Sequence, residues 1–538
     1  MTTIYRRSLA ACLMVATAAL TLLGAVAAPA WAQKPGGTLV IVSTPEPTTI
    51  TNAFNSATTA GEVGTKIYDG LLEYDANLNP KPSLATEWSV SADGKDVTFK
   101  LRHDVKWHDG HPFTSADVAF SILEVLKPNH PRGPGNFGPV QSIDTPDDYT
   151  VVLHLQNAYP PMMRAFSSLD APILPKHLYA GTNLRNNANN NKPVGTGPFM
   201  FKDWQRGDSI VLERNPNYWR PGRPYLDRII FRFINDPATR AAALESGEAQ
   251  VASFGSIATS EMRRLEKAGV VTIPLGGFQA LAPVAMITFN TVDPPFNDKR
   301  VRQAVAYAID RKFIIDKIFF GFGQPATGPI SSVFKGQGLF TDQVIHFDVP
   351  DRLKRATDLL DAAGFKPKPD GTRLDVTLDI GPIGDEYRRM GEYIKQALKQ
   401  VGFNVSLRNE DMAGFTRRTS QTYDFQMATA AWVGMGDPTL GVQRQYVTSN
   451  IKKGVPFTNL GRYSNPEIDA LWAKFAIELD PKKRAEDAHQ LQQKLVDDSP
   501  MVWLFELQQV ATARKEVKNL INGAFSVQGG MYETWLDR

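Results

Sequence analysis

Hydrophobic positions along the chain fall into two alternating rhythms. From 36 to 43 the run GGTLVIVS is almost continuously apolar, as in a strand buried on both faces. In DVTFKLRHDVKW, at 96–107, Val97, Phe99 and Leu101 alternate with polar neighbours, the period of a half-buried strand. The segments 148–157 (DYTVVLHLQN), 209–214 (SIVLER) and 226–235 (LDRIIFRFIN) continue the β pattern. Helical stretches lie between them. Thr114-Ser115 predicts the start of TSADVAFSILEVLK, with Asp117 in the first turn where a negative charge suits the helix dipole. Asp236-Pro237 opens a helix that Gly247 can end, because Pro suits the first helical position and Gly the position just past the last.

The second half repeats this style without repeating the sequence. A strand at 284–292 leads to a helix at 300–310, and RKFIIDKIFF continues the helical period. A helix at 385–402 ends at Gly402 and precedes the strand NVSLRNE. The strand DFQMATAAW, 424–432, stops in the Gly-rich segment VGMGDP. Helices near 465–479 and 481–498 precede an apolar strand at 501–510. Such alternation predicts mixed α/β layers. The polar tract RNNANNNK, 185–192, is too short for a linker and predicts an exposed loop.

Composition narrows the class. A chain of 538 residues, 42% hydrophobic and 21% charged, predicts two or three folded units and excludes polytopic membrane and mostly disordered chains. Its net charge of +3 gives no reason to expect nucleic acid or an anionic membrane as partner. Arg6 and Arg7 precede an uncharged stretch from Ser8 to Ala28, followed by Pro29 and Ala30-Trp31-Ala32. That layout predicts a secretory signal peptide over residues 1–32, cleaved after Ala32, and a periplasmic destination. A retained anchor is the alternative, since about 20 apolar residues can span a bilayer. Residues 1–32 carry two Arg and no acid, so the remaining 506 residues have 57 basic against 56 acidic side chains, a charge of +1. The single Cys, Cys12, also lies in that segment. Cysteine nucleophiles, disulfides, iron–sulfur clusters and Cys zinc sites are thereby excluded from the mature chain.

Catalytic motifs are absent: there is no GxSxG, HExxH or Walker-type loop. Gly195-Thr196-Gly197 falls short of a dinucleotide fingerprint because Met200 occupies the last Gly position, and it reads as a tight turn into PFMFKDW. His103, His108 and His111 sit with Asp104 and Asp109, a donor set suited to a transition metal. The turn at Asp109-Gly110 does not require those side chains to converge. No metal site, no cofactor and no enzymatic activity are expected.

Four blocks of sequence carry a family resemblance. The first is Tyr68-Asp69-Gly70-Leu71-Leu72-Glu73-Tyr74 with Pro82-Ser83-Leu84-Ala85-Thr86-Glu87-Trp88. The second runs from Thr98-Phe99-Lys100-Leu101-Arg102 through Val105-Lys106-Trp107-His108-Asp109-Gly110 to Phe113-Thr114-Ser115-Ala116-Asp117-Val118. The third is Val194-Gly195-Thr196-Gly197-Pro198-Phe199, then Leu212-Glu213-Arg214-Asn215-Pro216-Asn217-Tyr218-Trp219. The fourth is Phe289-Asn290, Pro295-Phe296-Asn297-Asp298 and Arg300-Val301-Arg302-Gln303-Ala304. In this order, from about residue 36 to 515, they resemble the dipeptide/oligopeptide/nickel type of extracytoplasmic solute-binding proteins that serve ABC importers. The resemblance implies a two-lobed, periplasmic-binding-protein-like α/β fold with a hinge and an additional flanking domain. Residues 33–70, 193–283 and 508–538 would form the first lobe, 71–192 the flanking domain and 284–507 the opposing lobe. The implied partners are a ligand enclosed between the lobes and an inner-membrane ABC permease, with the receptor itself a monomer.

The resemblance also implies ligand-binding positions. In peptide-binding relatives the strand corresponding to 424–432 is followed by Trp-x-Gly-Asp, whose Asp holds the peptide's α-ammonium group. Here the text is Trp432-Val433-Gly434-Met435-Gly436-Asp437-Pro438, with Met435 at the Asp position. A thioether cannot neutralise a buried ammonium. The loop Gly381-Pro382-Ile383-Gly384 also lacks the Arg that dipeptide binders use for a carboxylate; Arg388 and Arg389 come later. Trp432 offers a stacking wall or serves as a core residue at a strand end. Thr59-Ala60-Gly61 corresponds to backbone that touches ligand in relatives, or is a plain helix-entry loop. Phe254 lines the pocket or the core. Glu506, which interrupts MVWLFEL, meets a cationic ligand group or is paired at the hinge. The ligand is accordingly peptide-like or a non-peptide such as an oligosaccharide, an opine or another modified amino compound. An exported hydrolase and a haem- or nickel-chelate receptor are the alternative classes.

Overall fold

The computed structural model describes residues 33–538 except Phe457 and Gln509. The expected signal segment, 1–32, lies outside the described residues. Among those residues no helix is long and apolar enough to cross a membrane.

Three sheets organise the chain. A seven-stranded sheet runs in the order Val271–Thr272, Thr512–Arg514, Val251–Ala252, Thr38–Ser43, Arg228–Phe233, Ser209–Arg214, Phe199–Gln205. Its central strand Thr38–Ser43 is parallel to both neighbours, and Leu39, Ile41 and Val42 are fully buried, as a strand covered on both faces requires. A six-stranded sheet runs Gly323–Pro325, Met501–Leu507, Val284–Phe289, Met427–Trp432, Leu374–Ile380, Phe403–Asn409. Every residue of Val284–Phe289 is buried. A four-stranded antiparallel sheet, Ala85–Val90, Asp96–Leu101, Thr150–Leu155, Val140–Asp147, keeps the half-buried alternation expected of Val97, Phe99 and Leu101. The seven-stranded sheet draws on chain segments separated by those feeding the other two, so the chain crosses between layers repeatedly.

Local signals act as their chemistry dictates. Asp236 accepts from the Thr239 N–H at 2.7 Å to start Pro237–Ser246, and Gly247 ends it at φ 87°. Thr114 and Asp117 form a capping box around Ser115–Phe120. The tract 185–192 is largely exposed, as expected, except at Asn190. It folds into two short 3-10 turns, and the buried Asn190 carbonyl accepts from the Ile50 and Thr51 N–H groups at 3.2 and 3.1 Å.

The sequence blocks that carry the resemblance act as joints. Asp69 is buried and accepts from Trp219 Nε1 at 2.9 Å, Thr196 Oγ1 at 3.1 Å and Tyr218 OH at 3.4 Å. The first and third blocks therefore meet at one carboxylate, which burial pushes up and those donors hold down. The second block locks on through His108. Its Nδ1 accepts from Gly195 N–H at 3.2 Å and its Nε2 lies 3.0 Å from the Gly197 carbonyl oxygen. In the other half, Arg302 is buried and donates to the carbonyls of Phe296, Ser499 and Asp498.

Enclosure lowers the His108 pKa from 6.5 to about 4. As pH falls below 6.5 the unfolded chain takes up this proton before the folded one, so stability is lost between pH 6.5 and about 4. Urea midpoints at pH 7 and pH 4 should show wild type losing about 2 kcal/mol more than His108→Gln. Equal losses in the two proteins would contradict this.

Candidate ligand cleft

A cavity of about 380 Å³ opens between the seven-stranded and six-stranded layers. Phe254, just past the strand Val251–Ala252, lines it together with Ile257 and Met262. Phe319, Phe322 and Tyr387 face them, and Leu507, Gln508 and Val510 close the side where the chain passes between layers. Its lining is mostly aromatic and aliphatic, the usual character of a small-molecule site.

Two contacts bridge the layers at this cavity. Thr259 Oγ1 donates to Glu386 Oε1 at 2.7 Å. Arg263 Nε donates to the Phe320 carbonyl at 3.0 Å, and its guanidinium lies 3.9 Å from the Phe322 ring centre. Each is a single polar contact joining residues of the two layers. Glu386→Ala should weaken, by about tenfold, binding of the compound that most stabilises the wild type, read by titrated thermal shift. Unchanged affinity would show that the bridge contributes nothing to closure.

The loop after Met427–Trp432 is fixed at almost every residue. Gly434 N–H donates to the Leu281 carbonyl at 2.6 Å, and a Cβ there would meet Phe334 at 3.0 Å. Met435 and Gly436 both take left-handed backbone, φ 57° and 74°. For the non-Gly Met435 this costs on the order of 1 kcal/mol. Val433 and Met435 are half-buried. A Cβ on Gly441 would overlap the Val433 carbonyl oxygen, so the helix Pro438–Gly441 is clamped against the loop.

Asp437, the acid that follows Met435 most closely in the sequence, is not free to take an ammonium. It is buried, caps Pro438–Gly441 through the Thr439 N–H at 2.9 Å, and takes both oxygens to Arg484 Nη2 at 3.0 and 2.9 Å. Trp432 is buried at the strand end, and the Arg444 guanidinium lies 4.9 Å from its ring centre. Arg444 is half-buried and donates to the Gly441 carbonyl at 3.2 Å. Among the described residues no carboxylate forms an ion pair with it. Burial and the like charge of Arg132 lower its pKa to about 10.

Other expected positions fall elsewhere. Thr59, Ala60 and Gly61 do not form a loop; they make the buried first turns of the helix Thr58–Ile67, packed under Gln528 and Leu169. Short polar side chains and Gly obscured a helix whose stability comes from packing. Glu506 is buried and accepts from Gln324 Nε2, Ser331 Oγ, Ser332 N–H and Ser332 Oγ at 2.6–2.9 Å, so its carboxylate is fully occupied by neutral donors. Arg388 and Arg389 pair with Asp385 on their own helix. The histidines also sort differently: His103 stacks on Tyr149, His108 is taken by 195–197, and Asp109 and His111 meet His177. Arg444, Glu386 and His177 carried no sequence signal, because each depends on a partner distant along the chain.

Comparison with known proteins places this architecture. Residues 79–454 match the family described as bacterial extracellular solute-binding proteins, family 5. The chain is 28% identical over 490 residues to the oligopeptide-binding protein AppA of Bacillus subtilis, covering 87% of this chain and 86% of that one. It is 27% identical over 507 residues to the probable D,D-dipeptide-binding periplasmic protein DdpA of Escherichia coli, covering 91% and 93%. Among solved structures, the ABC transporter substrate-binding protein CtaP of Listeria monocytogenes superposes with a TM-score of 0.82 at 26% identity, covering 94% of this chain and all of that one. The binding protein AgaA of A. tumefaciens R10, in complex with agropinic acid, superposes with a TM-score of 0.73 at 26% identity, covering 93% and 99%. Two α/β lobes about a shared cleft, joints built from the shared sequence blocks, and a match over most of the chain lead to one assignment: the chain belongs to family 5 of the bacterial extracellular solute-binding proteins.

Proposed function

We propose that this protein is a periplasmic receptor, exported by a cleaved signal, that captures a small acid-bearing solute between its lobes and delivers it to an ABC importer. The first lobe takes residues 33–70, 193–283 and 508–538, the flanking domain 71–192 and the opposing lobe 284–507, a division supported by which sheet each stretch feeds. Closure is driven by a ligand that binds the closed form better than the open one. The closed shape is what a permease would read.

The charge pattern around Trp432 supports the ligand class. Met435 supplies no charge, and Asp437 is committed to Arg484 and to a helix cap, so no carboxylate is left in this loop to hold an α-ammonium. Arg444, beside the same tryptophan, has the opposite surplus: a half-buried cation with no acidic partner among the described residues. A ligand carboxylate is the group that relieves it, through a charge-assisted and potentially bidentate contact. The Trp432 ring beside Arg444 offers a face for the apolar part of such a ligand. Opines, sugar acids and N-substituted amino acids meet this description; free peptides held by their N-terminus do not.

The test is a thermal-shift screen of refolded, ligand-free protein against pools of these acids, neutral sugars and free peptides. A compound at about 100 times its Kd raises the unfolding free energy by about 2.7 kcal/mol. Acid-bearing hits should lose about tenfold or more in affinity in Arg444→Met. Neutral sugars as the only hits, or hits unaffected by Arg444→Met, would overturn the assignment.

A further inference from the structure

We infer that the flanking domain carries a transition-metal site, separate from the cleft, made by Asp109, His111 and His177. Among the described residues these form a group whose ligand atoms all lie within 4.8 Å of one another. Asp109 Oδ2 is 2.7 Å from His177 Nε2, and Asp109 Oδ1 is 3.2 Å from His111 Nδ1. The two imidazole rings lie 4.2 Å apart between centres. A tetrahedral ion bound at about 2.1 Å needs donor atoms about 3.4 Å apart, so small side-chain rotations bring all three donors onto one centre.

The scaffold under these side chains is rigid, which distinguishes the cluster from a chance meeting of surface groups. On one side is the turn 107–111. It is closed by Gly110 N–H to the Trp107 carbonyl at 2.8 Å and Trp107 N–H to the His111 carbonyl at 2.9 Å, with Gly110 at φ 91°. His108, inside that turn, is anchored to Gly195 and Gly197. On the other side His177 sits in the short helix Lys176–Tyr179. Asp117 ties the two together, accepting from Lys176 N–H at 2.9 Å and from Trp107 Nε1 at 3.4 Å. Trp107 also packs edge-on against the His177 ring. Supporting groups of this kind hold the donors of a metal centre in place.

The donor set decides the metal class. Two imidazoles and one carboxylate suit zinc and its borderline neighbours nickel and copper, while calcium and magnesium prefer oxygen alone. All three side chains are exposed, leaving room for a water at the fourth position. No residue of the cluster lines the cleft cavity, so the proposal stands or falls independently of the ligand. A bound ion would cross-link the 107–111 turn to the helix that carries His177, two segments 68 residues apart from Asp109 to His177.

Calorimetric titration of chelator-treated protein with zinc chloride tests this. One equivalent should bind, with affinity reduced at least about tenfold in His177→Ala and in Asp109→Asn, the latter preserving side-chain shape. His103→Ala, which removes a ring stacked on Tyr149 outside the cluster, should titrate as wild type. The cobalt(II) form should show visible absorption that His177→Ala alters. Absence of a one-equivalent event would overturn the site. So would identical isotherms for wild type and both ligand variants, or equal loss in His103→Ala.

Discussion

Gly195→Ala is expected to destabilise the fold by about 3 kcal/mol, a value at the upper end for overpacking. The methyl group would overlap the Ile67 carbonyl oxygen and lie 2.6 Å from the Ile67 carbonyl carbon. Neither partner can yield cheaply. Ile67 ends the helix Thr58–Ile67, and its carbonyl already accepts from Gly197 N–H at 2.8 Å. Gly195 also donates to His108 Nδ1, and Thr196 beside it donates to Asp69. Moving the turn therefore leaves buried polar groups unpaired in addition to the steric cost. Gly135→Ala is the matched control. Nothing lies within 4 Å of its added carbon and its φ is not positive, so a change below about 0.5 kcal/mol is expected. Urea unfolding of both variants decides the point, and near-equal midpoints would contradict the role of 195–197 as a joint.

The second large effect concerns the loop that follows Met427–Trp432. Arg484→Met should destabilise by about 3 kcal/mol, because it strands the Asp437 carboxylate in a buried position. The side chains of Asp437 and Arg484 are 2% and 12% exposed, so solvent does little to screen their attraction. The guanidinium also stacks 4.1 Å from the Phe475 ring centre, a contact that Met replaces only in part. Asp437→Asn provides the complementary reading. If Asp437 anchors the loop, Asn lowers stability and shifts ligand affinity only through the loop's position. If Asp437 instead held a ligand ammonium, Asn would abolish binding while leaving the melting temperature of ligand-free protein unchanged.

Much of the fold was legible because its signals are local. The apolar run 38–43, the alternation around Phe99, the Asp236 cap and the Gly247 stop each depend on neighbours within one element. The four blocks pointed to the right family, and in the structure the first three are tied to one another. Asp69, Thr196, Tyr218 and Trp219 are one buried hydrogen-bond network, and His108 and Gly195 a second. The cleft was legible only in part. Phe254 lines the cavity, whereas Trp432, Val433, Gly434 and Met435 are not among its lining residues, Thr59–Gly61 lie in a helix and Glu506 is consumed by Gln324, Ser331 and Ser332. Arg444 was not legible, since the text VQRQY carries no pattern that distinguishes a stranded cation from a surface one. What marks it is the absence of a neighbouring acid in space, a property of the packed chain. The histidines teach the same lesson. Spacing grouped His103, His108 and His111, whereas the fold sends the first two to other partners and brings His177 to the third.

Under the proposed function the receptor seats an acid and not a free ammonium. The most direct test is calorimetric titration of refolded protein with the best acid-bearing hit, its methyl ester and its N-acetylated form. Esterification should cost about tenfold or more, by removing the charge that meets Arg444, and N-acetylation should change affinity by no more than about twofold. Binding that survives esterification and is lost on N-acetylation would contradict the proposed function.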